Sequence, residues 1–97
     1  MGADSFMTRA VGKTAKAAFA EAQAKARYDH GHAGYTGTIA EKDSFTLIAT
    51  VGTEKEAYEM AEKLMDAGDK RIDDKWGPAG CIGFATEAFL FFGYASS

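Results

Sequence analysis

The chain has 97 residues, the size of one small domain, and 46% of them are hydrophobic, enough to bury a core rather than stay disordered. The formal net charge is -3 and there is no block of Lys and Arg, which argues against nucleic acid as a partner. The single cysteine, Cys81, excludes an internal disulfide and a cysteine-rich zinc module.

No apolar run approaches the roughly 20 residues of a membrane helix. The opening MGADSFMTRA lacks the basic head and apolar stretch of a signal peptide. A cytoplasmic protein with no membrane contact is expected, folded as a single domain over residues 1–97.

In chain order, SFMTRAV (5–11) alternates without a breaker and predicts a first strand. After Gly12, residues 13–30 predict a helix: Ala15, Ala18, Phe19, Ala22 and Ala26 recur at three- and four-residue steps. That face is small and suits close approach to a sheet. Glu21 and Lys25 have the spacing of a favourable ion pair on the opposite side.

Gly31 suits a left-handed helix end. YTGTIAE (35–41) predicts a second strand, and Lys42 and Asp43 a tight turn. SFTLIATV (44–51) predicts a third strand, antiparallel to the second, with Phe45, Leu47, Ala49 and Val51 on one face.

Gly52 ends that strand. Thr53 and Glu56 have the spacing of a capping box at the head of a second helix. Its apolar face is Ala57, Met60, Ala61, Leu64 and Met65, and Gly68 closes it. DKRIDDKWGPAG is a polar connection, and CIGFA and FLFFGYA are the last strands.

The order β-α-β-β-α-β-β predicts an α+β two-layer sandwich: a ferredoxin-like antiparallel sheet, two helices on one face, and an extra C-terminal strand. Phe89 and Phe91 then point one way, and Leu90, Phe92 and Tyr94 the other. An aromatic face left open to water predicts a homodimer, or a partner protein, covering it. In this topology the glycine-rich loops HGHAGYTG and DDKWGPAG fall at opposite ends and meet only across a dimer.

Four segments have chemical potential. Gly12-Lys13-Thr14 lies before a helix as the end of a P-loop does, but Met7 stands where the first glycine is needed. The phosphate cradle is absent, and Thr14 as a helix cap is the plainer role. His30 and His32 with Asp29 have the residue types of a metal site but too few ligands, so neither metal nor cofactor is expected. General acid–base work by His32 with Tyr35 or Asp29 lacks a nearby nucleophile, so no catalytic residue is assigned. Cys81, at a strand start, reads as a buried structural thiol.

His32, Tyr35 and Thr36 in HGHAGYTGT are the first candidate binding residues, because a helix cap at Gly31 and a strand irregularity at Gly37 leave them unexplained. Lys75 and Trp76 in DDKWGPAG are the second: an indole in a polar loop offers a stacking surface beside a cation. The alternative for Trp76 is a lid on the core.

Taken together, MGADSF, GHAGYTGTIAEK, DDKWGPAGC and LFFGYASS resemble a group of small phage and prokaryotic proteins, across nearly the whole chain. The resemblance carries no activity with it. It implies a phage-encoded antagonist of a host defence system, in the manner of an anti-CRISPR protein.

Three functions are therefore set against one another. The first is a non-enzymatic binder that contacts a host protein. The second is a homodimeric binder of a small anionic ligand such as a nucleotide, held by backbone N–H groups of the glycine turns. The third is a small enzyme using His32 and Tyr35. Binding ranks above catalysis because no nucleophile–base or metal constellation is complete.

Overall fold

A computed structural model describes residues 3–30 and 38–96. The elements are β1 (Ala3–Val11), α1 (Ala15–His30), a 3-10 turn (Ile39–Glu41), β2 (Phe45–Val51), α2 (Glu54–Asp66), β3 (Ala79–Phe84) and β4 (Ala88–Ser96). The α+β class holds: two helices pack on one four-stranded mixed sheet. Among the described residues no helix is long and apolar enough to cross a membrane.

Both helices form for the expected reasons. Ala15, Ala18, Phe19, Ala22 and Ala26 all pack into one apolar cluster, with Phe6, Ile39, Cys81 and Phe91. The second helix buries Ala57, Ala61 and Met65 in another, with Ile82, Leu90 and Phe92, and packs Met60 and Leu64 against it partly buried. Thr53 caps α2 by accepting from Glu56 N–H at 3.2 Å, while its hydroxyl donates to the Glu56 carboxylate at 3.1 Å. That carboxylate engages the threonine hydroxyl, a variation on the expected reciprocal box. Gly68 closes the helix in the left-handed region, at φ +66, which a side chain would strain.

The sheet differs from the expected one. Its order is β1-β4-β3-β2, with β1 and β3 antiparallel to β4, and β2 parallel to β3. Residues 39–41 of the expected second strand are a 3-10 turn instead. The Thr38 hydroxyl accepts from Ala40 N–H, and Ile39 is buried. Residues 35–37 lie outside the described residues. Among the described residues no hairpin forms at this point, and β1, β2 and β3 all run the same way.

Two further expectations change with the topology. In β4, Phe91 joins the α1 cluster and Leu90 and Phe92 join the α2 cluster, and neighbouring strand residues point to opposite faces. The helices therefore cover opposite faces of the sheet, where both were expected on one. The aromatic face expected to lie open is covered by α2, which removes the ground on which a homodimer or partner was expected there.

The other change lies in β2, where the register on β3 shifts between Leu47 and Ala49, leaving Ile48 as an extra residue. A bulge of this kind reverses the alternation beyond it. Phe45 accordingly packs with the α1 cluster and Val51 with the α2 cluster, instead of sharing one face.

Gly80 in β3 marks a close approach. A Cβ built there would lie 2.5 Å from Phe92 Cζ and 2.8 Å from Ile72 Cγ2. The bare backbone lets Ile72 seat the connection after α2 into the core. Gly80→Ala is expected to lower the unfolding free energy by about 1–3 kcal/mol through overpacking, read by urea denaturation.

Candidate functional site

Because β2 and β3 start together, the residues before them meet. Ser44 C=O accepts from Ala79 N–H at 2.9 Å. The end of α1, the 3-10 turn and the connection before β3 therefore share one end of the sheet, where opposite ends were expected. Gly12, Thr14, Gly52 and Thr53 lie at the other end.

At the shared end, Asp74 to Gly77 form a tight turn. Gly77 N–H donates to Asp74 C=O at 2.9 Å, and Trp76 N–H donates to the Asp74 carboxylate at 2.9 Å. Aspartate first and glycine fourth suit such a turn, since the carboxylate reproduces a backbone acceptor two residues on.

Beneath the turn lies Lys42, only 2% exposed. Its ammonium donates to three carbonyls: Asp74 at 3.1 Å, Lys75 at 3.2 Å and Gly77 at 2.9 Å. These use all three ammonium N–H donors, which is what burial of a lysine demands. The Lys42 carbonyl in turn accepts from the Gln23 side chain, which also reaches Ile39 C=O. A continuous set of hydrogen bonds thus runs from α1 through Lys42 to the turn. The sequence suggested only a surface turn at Lys42 and Asp43. Burial lowers the Lys42 amine from its ordinary value, and the Asp74 charge pulls it partly back.

Trp76 rides on this fixed turn with 58% of its surface exposed, so it is not a lid on the core. The Lys75 ammonium sits 5.4 Å from the indole centroid, a cation–π distance. Lys75 and Trp76 are therefore brought together. His32, Tyr35 and Thr36 lie outside the described residues, as do Gly31 and Gly37.

The remaining candidates resolve into structural parts. Thr14 is the expected cap, accepting from Ala17 N–H at 3.1 Å. Gly12 N–H is taken by Glu87 C=O at 3.0 Å. Among the described residues, no three His, Cys, Asp or Glu side chains group as metal ligands.

Cys81 is fully buried, and burial pushes its thiol from 9.0 up to about 12. The unfolded thiol ionises first, so this group's contribution is complete below pH 9 and fades as the pH rises towards 12. A thiol reagent at pH 8 is expected to leave the folded protein untouched and to find one thiol after denaturation.

No protein family, curated protein or solved structure matched the chain.

Proposed function

We propose that the chain is a non-enzymatic binding protein acting through protein contacts, with Trp76 as its principal anchor. One observation carries this reading: a tryptophan more than half exposed, on a turn fixed from beneath by a buried ammonium. Tryptophan is enriched among the residues that dominate binding energies. Ordering a loop on association costs affinity, and a turn already tied by Lys42 avoids that cost. Lys75 orients the indole and adds charge at its rim.

Catalysis finds less support. Lys42, whose lowered pKa suits amine chemistry, is buried with every donor engaged, and Cys81 is sealed in the core. The anionic-ligand reading rests on the two glycine-rich loops of a dimer, and residues 31–37 of the first lie outside the described residues. The resemblance to small phage proteins directs the search for a partner to host defence proteins in the cytoplasm.

Native mass spectrometry of the protein isolated from producing cells tests the reading. The expected result is the chain plus a second protein. A dimer carrying a small mass would overturn it in favour of the anionic ligand.

A further inference from the structure

The edge of the sheet formed by β1 adjoins a groove that the Trp76 turn does not use. Strand β1 pairs with β4 over nine residues without a register shift, and among the described residues its other side is a sheet edge. The bulge at Ile48 interrupts the opposite edge, β2, in the manner of strands protected against pairing. No such interruption protects β1.

The hydrogen-bond phase identifies the outward groups. Gly12 N–H donates to Glu87 C=O, and the same antiparallel register continues through Ala10↔Phe89 and Thr8↔Phe91. In an antiparallel ladder every second residue turns both polar groups to its neighbour. Ser5, Met7, Arg9 and Val11 therefore direct N–H and C=O to the outer edge.

A 470 Å³ groove runs between this strand and α1. Ala22 and Ala26 leave room on its floor, and Glu21, Lys25 and Asp29 stand along it. Four residues of helix rise about 6 Å, and two residues of strand about 6.7 Å, so the charges keep step with alternate residues of an added strand. Among the described residues none of the three charges makes an ion pair; the expected Glu21–Lys25 pair is not formed. Arg9 turns its own side chain away, to Glu54 at 3.1 Å.

We propose that the β1 edge and this groove accept an extended segment of a partner protein by strand addition. Its residues facing α1 alternate basic, acidic, basic. This sequence of charges reads the same in both directions and complements Glu21, Lys25 and Asp29 in parallel or antiparallel addition. Main-chain hydrogen bonds to β1 supply affinity, and the three charges supply selection. The chain's own Arg71-Ile72-Asp73-Asp74-Lys75 has the pattern but is not free to extend: Ile72 is 1% exposed and Asp74 heads the turn. A second copy of this chain therefore does not provide the segment.

The test titrates two synthetic peptides into the isotope-labelled protein, followed by NMR. Each is a nine-residue β-prone strand. One carries Lys-x-Glu-x-Lys on one face, the other Glu-x-Lys-x-Glu. The first is expected to shift the amides of Ser5, Met7, Arg9 and Val11, and to bind at least about tenfold more tightly than the second. Lys25→Glu, an exposed helix change, is expected to weaken the first peptide. N-methylating its inward amides should abolish binding. Equal affinity for both peptides, shifts away from β1, or a dimer through β1 in the free protein would overturn the proposal. Trp76→Ala should leave this binding unchanged, so the two surfaces fail separately.

Discussion

Lys42→Ala is expected to lower the unfolding free energy by about 3 kcal/mol, among the largest effects of any side chain outside the aromatic core. Three carbonyls each lose a hydrogen bond, Asp74 C=O keeping the one from Gly77 N–H, and a buried four-carbon stem is removed. Removing the desolvated charge offsets part of that loss. A change of this size corresponds to a fall in melting temperature of more than about 10 °C for a domain this small. Lys42→Met keeps the stem and removes the charge, so it should cost about 1 kcal/mol while still loosening the turn.

The pH dependence has a definite sign. The Lys42 amine is held below its ordinary 10.5, so the unfolded chain binds the extra proton and stability rises with pH just below that value. Cys81 acts in the opposite sense between 9 and about 12. In Lys42→Met only the second effect remains, and its stability should fall more steeply above pH 9.

Trp76→Ala is expected to weaken partner binding by more than about 2 kcal/mol, roughly thirtyfold, while changing stability by less than about 0.5 kcal/mol. The division follows from exposure: the indole covers little core, and the turn beneath it is held through main-chain groups. Trp76 is the only tryptophan, so its fluorescence reports on the site alone. Its emission should be that of a solvated indole in the free protein and move to the blue in the complex.

Much of the local structure was legible in the sequence. The three-and-four spacing of Ala15 to Ala26 and of Ala57 to Met65 located both helices and their buried faces. Alternation located β1 and β2, and CIGFA and FLFFGYA marked the last two strands. Long-range order was hidden by one segment. Ile39 has the composition of a strand residue, yet Thr38 bends the backbone into a 3-10 turn and sends Ile39 into the core. With a 3-10 turn at residues 39–41, the directions of the later elements reverse, the end of α1 and the connection before β3 come to one end, and the helices take opposite faces. Ile48 was equally silent, because a bulge is a matter of pairing rather than composition.

The site was half legible. A tryptophan in a polar connection singled out Lys75 and Trp76. Nothing in a lysine beside an aspartate signals that its amine is buried under three carbonyls 32 to 35 residues away. A turn with Asp first and Gly fourth was the one available hint, since its carbonyls converge and need a donor.

A photoreactive residue in place of Lys75, activated in producing cells, shows whether the Trp76 turn meets a partner protein. One dominant crosslink to a second protein is expected, reduced when Trp76 is also alanine. Crosslinks to no protein, or a yield indifferent to Trp76, would contradict it.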